Sequence, residues 1–210
     1  PEMHGRTEFP FAYVALEPLS TTYSLDLSRP SIILFGADTL RVDRMSCYGY
    51  KPRVNPNLRT TPNLDALARV CTRYERAYSP SSFTLPVFAS MFTSRYPSEH
   101  TAYIRYQSLP ESVETLAEIL QAQGYQTAAF VDQGFMDPAY GMNQGFELYD
   151  NQDGRLVEIG PRALKWLKQR DPNRPFFLFV HFYDTHAPYY SPEEMRFRYS
   201  LNPGYNRLPQ

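Results

Sequence analysis

Cysteine is scarce in this chain. Its 210 residues include two, Cys47 and Cys71, too few for a disulfide framework and without the paired spacing of a metal site. Both are expected to be small buried residues. An excess of one charge is missing as well: 21 Lys and Arg against 22 Asp and Glu leave a net charge of −1. That excludes the basic field a nucleic-acid partner needs and the polybasic patch that draws a protein to an anionic membrane. No apolar run approaches the length of a transmembrane segment, and the first stretch lacks the basic start and apolar core of a signal peptide. The chain opens on Pro1 rather than methionine, which leaves its compartment open. No internal repeat is visible.

Hydrophobic residues make up 42% and aromatic residues 15%, a composition that buries a core as one globular domain. The expected organisation is an irregular lead-in over 1–30, a domain over 31–190, and a Pro- and Tyr-rich tail over 191–210. Three short apolar runs read as strands: Ser31 to Ala37, Tyr125 to Val131 and Phe176 to Phe182. The first is continuous, as in a strand buried on both faces of a parallel sheet. Between them lie helical patterns. Thr61-Pro62 opens one, with Leu64, Leu67, Ala68 and Cys71 along a single apolar face. A second, nearly all apolar, runs from Pro86 to about Ser94. Ser108-Leu109-Pro110-Glu111 reads as a capping box opening a third, with Val113, Leu116, Ala117 and Leu120 on its buried face and a stop at Gly124. A fourth is expected from about Pro161 to Gln169, and 43–57 and 132–154 read as loops. The order strand, helices, strand, helix, strand predicts an α/β fold, a mainly parallel sheet with helices on both faces.

Open sheets of this kind bind ligands outside the carboxyl ends of their strands. Asp38 falls just past such an end, where a carboxylate suits a hard metal ion, and Arg41 stands nearby as an anion-pairing group. The plainer alternative makes Asp38 a turn cap and Arg41 its solvated neighbour. The stretch Ser81-Ser82-Phe83-Thr84-Leu85-Pro86 places a hydroxyl two residues before a proline suited to a first helical turn. Thr84 therefore reads as a helix N-cap. A hydroxyl there could also attack a phosphate or sulfate ester gathered at the helix N-terminus.

Three segments, in order, resemble the N-terminal half of a sulfatase-like enzyme of the alkaline phosphatase superfamily. They are Asp38-Thr39-Leu40-Arg41 through Cys47-Tyr48-Gly49-Tyr50, Thr61-Pro62-Asn63-Leu64-Asp65, and Thr84-Leu85-Pro86 through Arg95-Tyr96-Pro97-Ser98-Glu99-His100. Pro175 to Tyr189 is similar to the later strand and histidine loop of the same family. The resemblance implies that Asp38 is the first metal-binding aspartate, with Thr39 where a second aspartate is usual. It implies that Thr84 occupies the nucleophile position, as a further metal contact, and that His186 touches the oxygens of the ester, with His181 and Asp184 close by. His100 is expected to be structural.

Threonine cannot give the formylglycine of sulfatases, and Phe88 stands where an arginine is usual. Both departures resemble relatives that use threonine on phosphate esters or phosphodiesters, such as phosphoglycerol and phosphoethanolamine transferases. Asp132 and Gln133 stand where many sulfatases carry a lysine and a histidine. The family draws its remaining metal ligands from a later Asp-His or Asp-Asn segment, which Ser191 to Gln210 does not supply, so the domain is expected to be incomplete at its C-terminus. What the resemblance implies is a divalent metal (Ca, Mg, Mn or Zn) and a small-molecule, glycan or lipid ester of sulfate or phosphate as substrate. The alternatives are sulfate-ester hydrolysis through a modified use of the threonine, and a non-catalytic sulfatase-like module that binds an anionic ligand or a partner.

Overall fold

The computed structural model describes residues 29–103 and 107–189. The expected lead-in, up to residue 28, and the expected tail lie outside them. Four strands form one sheet: β1 (Ile32–Ala37), β2 (Gln126–Val131), β3 (Leu148–Asp150) and β4 (Phe176–Phe182). Their order is β1-β4-β2-β3 and every neighbouring pair is parallel. The run Phe176 to Phe182 has no polar alternation, so it can only sit where both faces are covered; β4 is central and buried throughout.

The two faces of β4 go to two cores. Phe177 and Phe179 point toward α2 (Thr84–Thr93), packing with Leu85, Phe88, Ala89 and Phe92. Phe179 meets the rings of Phe92 at 5.0 Å and Phe88 at 5.7 Å. Each such side chain contributes about 1.5–3 kcal/mol by leaving water. Phe176, Leu178, Val180 and Phe182 point the other way, onto Ile159 and Ala163 of α5 (Leu156–Gln169). Helices thus cover both faces, as the element order requires.

Several boundaries differ from the sequence expectation. β1 is an edge strand, and α5 packs over β2 and β4, so Ile33 and Phe35 remain 57% and 55% exposed; it is not buried on both faces. In α1 (Pro62–Ala68) the buried residue is Asp65, held by Thr61 Oγ1 and Arg59 Nη1 at 3.1 Å each, while Leu67 is exposed. Polar ties to the preceding loop orient this helix, not its apolar stripe. Cys71 is accordingly exposed and Cys47 half-buried, so neither cysteine is the buried residue expected.

The helix expected from Ser108 starts instead at Leu116, as α4 (Leu116–Ala122). Two box patterns compete in the sequence, and Thr115 with Glu118 takes the role: the Glu118 N–H donates to Thr115 Oγ1 at 3.2 Å and the Thr115 N–H to Glu118 Oε2 at 2.7 Å. Thr115 also donates to the Gln144 carbonyl, which anchors it. Conversely, α5 starts five residues before Pro161 and carries that proline inside it. The carbonyl the proline leaves unpaired belongs to Val157, which is half exposed to water. The start is fixed by Asp184, whose carboxylate accepts from the Leu156 N–H at 2.8 Å and from Arg155 Nε at 3.0 Å. β3 lies within the stretch read as a loop, and short α3 (Pro97–His100) follows α2.

Candidate active site

Three chain segments converge at the carboxyl edge of the sheet. The Asp38 N–H donates to Phe182 O and the Asp132 N–H to His181 O, both at 3.2 Å, so the ladder carries the chain just past β1 and β2 on either side of β4. Asp38 is buried. The next residue, Thr39, adopts a left-handed conformation (φ 57°), which costs a residue with a Cβ about 1–2 kcal/mol. Two hydroxyls offset that cost: Thr39 Oγ1 donates to Thr185 O at 2.8 Å, and the Thr185 hydroxyl donates to Asp38 O. The turn after β1 and the loop after β4 are thereby laced together.

Inside this lacing sits His181, fully buried. Its Nε2 is 3.5 Å from Asp38 Oδ2, and neither ring nitrogen completes a hydrogen bond among the described residues. The ring stands edge-on to Phe88 at 4.8 Å and to Tyr183 at 4.7 Å. Gly36, paired with His181 in the ladder, leaves room for this: a Cβ there would meet Phe88 Cε1 at 2.9 Å.

Thr84 is the first residue of α2, not its cap. The N-cap is Phe83, in extended conformation and without a side-chain capping bond; Pro86 then falls in the first turn, where it forfeits no helical bond. The Thr84 hydroxyl is not spent on capping, and the positive end of a ten-residue helix lies beside it. The Tyr183 hydroxyl is buried next to the Thr84 side chain and the Phe135 backbone, yet closes to hydrogen-bond geometry with neither. Burial pushes this phenol up to about 12; Asp38 and Asp132 add to the rise, while Thr84 works against it. Burial likewise raises the Asp132 carboxyl, opposed by backbone N–H groups.

Of the residues singled out in the sequence, Asp38 and Thr84 both lie near enough to Tyr183 to act on its hydroxyl. His186 stands at the rim, exposed, with its N–H on Tyr183 O at 2.8 Å and its ring edge-on to Tyr183 at 5.5 Å. Arg41 is exposed and already engaged: Nε and Nη2 donate to the Asp43 carboxylate at 2.8 and 2.6 Å, and that pairing holds Asp43 below its ordinary range. Asp184 serves as the cap of α5. His100 is buried, donating from Nε2 to Ser90 Oγ at 3.0 Å and accepting the Ala102 N–H on Nδ1 at 3.1 Å. The residue that sequence reasoning passed over is Tyr183, whose only signal was its place one step beyond an unbroken apolar strand.

A hard divalent cation suits part of this arrangement. The Asp38 carboxylate and Thr84 hydroxyl are oxygen donors of the right kind, and the ion-pair partner of buried Asp38 is an imidazole rather than a Lys or Arg. Among the described residues, no group of three or more His, Cys, Asp or Glu could hold a metal ion. No helix among them is long and apolar enough to cross a membrane.

The Sulfatase family model matches residues 30–200. An N-acetylglucosamine-6-O-sulfatase of Bacteroides thetaiotaomicron is 28% identical over 192 residues, covering 82% of this chain and 33% of the relative. The chain therefore spans about a third of that relative's length. Among solved structures, the phosphonate monoester hydrolase of Agrobacterium radiobacter superposes with a TM-score of 0.64 at 21% identity, covering 79% of this chain and 43% of the other. The C-terminal periplasmic domain of EptC from Escherichia coli, in complex with Zn, gives 0.62 at 19% identity, covering 83% and 49%. At such identities these two structures speak to the fold.

Proposed function

The chain belongs to the sulfatase family, and from that premise we propose that it carries the nucleophile-bearing, N-terminal portion of a metal-dependent enzyme acting on phosphate or sulfate esters. Residues 31–190 form this portion. The observation that carries the reading is Thr84: a hydroxyl free of capping duty in the first turn of a buried helix, at the carboxyl edge of the sheet where Asp38 also lies.

In this reading Thr84 Oγ1 attacks the phosphorus or sulfur of the ester in line with the departing alcohol oxygen. The N–H groups at the start of α2 and the rim imidazole of His186 stabilise charge on the non-bridging oxygens. The covalent ester on Thr84 is then released to water or to an acceptor alcohol. Asp38 and Thr84 would contribute oxygen ligands to a divalent cation, which when bound supplies the positive charge that favours an ionised oxygen over a hydroxyl. His181 holds Asp38 in place from beneath. Arg41, tied to Asp43, reaches a substrate only by giving up that partner.

Threonine rather than a formylglycine precursor favours phosphate esters or phosphodiesters over sulfates. The likeness of fold to a phosphonate monoester hydrolase and to EptC is compatible with that choice, while the N-acetylglucosamine-6-O-sulfatase among the relatives keeps a sulfated sugar as the other substrate class. The test is parallel turnover of aryl sulfate, phosphate monoester and phosphodiester probes by the full-length protein and its Thr84→Ala variant. Turnover of a phosphate ester that disappears in the variant is the expected result; a variant that keeps its rate overturns the nucleophile. Absence of turnover and of measurable cation binding in the full-length protein favours a non-catalytic module that binds an anionic ligand.

A further inference from the structure

Among the described residues the buried Tyr183 hydroxyl closes no hydrogen bond, and leaving such a group unpaired costs about 1–3 kcal/mol. The ring packs between two imidazoles, edge-on to His181 at 4.7 Å and to His186 at 5.5 Å. The hydroxyl lies by the start of α2: His181, against the Tyr183 ring, packs in turn on Phe88, one helical turn beyond Thr84, and the Thr84 side chain is near enough to act on the phenol. A donor beside a nucleophile with no bond closed at rest is arranged for the charge that the nucleophile's oxygen carries only during turnover.

The geometry points to Tyr183 as a second catalytic residue, which donates a hydrogen bond to Thr84 Oγ1 when that oxygen is the leaving group. This rests on the reading of Thr84 as the nucleophile. In the step concerned, an oxygen of water or of an acceptor alcohol bonds to the phosphorus or sulfur as the bond to Thr84 Oγ1 breaks. The electron pair of the broken bond stays on Oγ1, and the proton shed by the acceptor restores the Thr84 hydroxyl. Tyr183 keeps its own proton and stabilises the charge on Oγ1 between those events. The donor acts on release of the covalent ester more than on its formation, since a hydrogen bond to an attacking oxygen dulls it while one to a departing oxygen helps it leave.

Tyr183→Phe in the full-length protein removes the hydroxyl and leaves the ring. With a p-nitrophenyl ester as probe, kcat is expected to fall about tenfold to a hundredfold, the worth of a hydrogen bond to a charged oxygen. KM falls with it, so that kcat/KM, which reports the steps up to ester formation, stays within about twofold. Intact-mass measurement after acid quench is expected to find more of the variant than of the native protein carrying one phosphoryl or sulfuryl group. Thermal unfolding checks the fold: removing an unpaired hydroxyl leaves the melting temperature unchanged or higher. An unchanged kcat overturns the proposal, as does a fall in kcat/KM without accumulation of the covalent ester. If Thr84→Ala keeps its turnover, the nucleophile is wrong; if Thr84→Ala is inactive while Tyr183→Phe behaves as the native protein, only the role of Tyr183 falls.

Discussion

His181 Nε2 stands 3.5 Å from Asp38 Oδ2, joining the centre of the sheet to its edge. The pairing follows from register. Gly36 lies opposite His181, so Asp38, two residues on and just past the end of β1, comes on the same face beside the imidazole. A carboxylate in this position is fixed by buried side chains that cannot easily move, which suits a residue that has to present oxygens at a constant place.

Asp38→Ala is therefore expected to abolish divalent-cation binding by the full-length protein, and His181→Ala to weaken it about tenfold to a hundredfold, as loss of a ligand's supporting partner does. Calorimetric titration with the metal alone checks both. An unaltered affinity in His181→Ala would make the histidine a packing residue and nothing more.

Much of this edge was readable from the chain, for reasons that differ residue by residue. Phe176 to Phe182 has one physical solution, a fully covered strand, so the loop carrying His186 had to emerge at a carboxyl end. Asp38 was placed by the apolar run before it, although β1 is an edge strand with one face open. Thr84 was placed to within one residue, because Pro86 marks the first turn but not which neighbour caps it. The remainder needed distant partners. Asp184 decides where α5 begins, and Gln144 helps choose between two equally written capping boxes. Leu148–Asp150 is a strand only because β2 is beside it. Tyr183 acquires a role only once α2 brings Thr84 against it, which no local pattern records.

Gly36 is required by close approach, not by its backbone. Its ladder position demands ordinary strand geometry, but an added Cβ would press on Phe88 Cε1 at 2.9 Å and touch His181 Cδ2 at 3.4 Å. Gly36→Ala is expected to destabilise by about 1–3 kcal/mol, the usual cost of overpacking a tight core. Trimming the obstructing ring in Gly36→Ala/Phe88→Leu should recover part of that loss beyond the sum of the single changes, a coupling that urea unfolding of the four proteins measures. Strict additivity would mean that the ring is not what the methyl meets.

His100 gives the fold a defined response to acid. Its Nδ1 accepts the Ala102 N–H, so the ring proton sits on Nε2 and is donated to Ser90 Oγ. Burial pushes this histidine below its ordinary value of 6.5, with the Pro86 carbonyl working the other way. In the unfolded chain the same residue takes up a proton near its ordinary value, so on acidification the unfolded state binds protons first. Stability contributed by His100 is thus complete above that value and is lost as pH falls through it toward the depressed folded value. A second proton would also turn Nδ1 into a donor facing the Ala102 N–H. Urea unfolding at pH 8 and pH 5.5 is expected to show the native protein losing more stability across that interval than His100→Gln, whose amide can accept one hydrogen bond and donate another without titrating. The substitution itself should cost about 1–3 kcal/mol at the higher pH, because an amide cannot reach Ser90 and Ala102 with the span of an imidazole. Parallel pH dependences for the two proteins would show that folding does not displace the titration of this histidine.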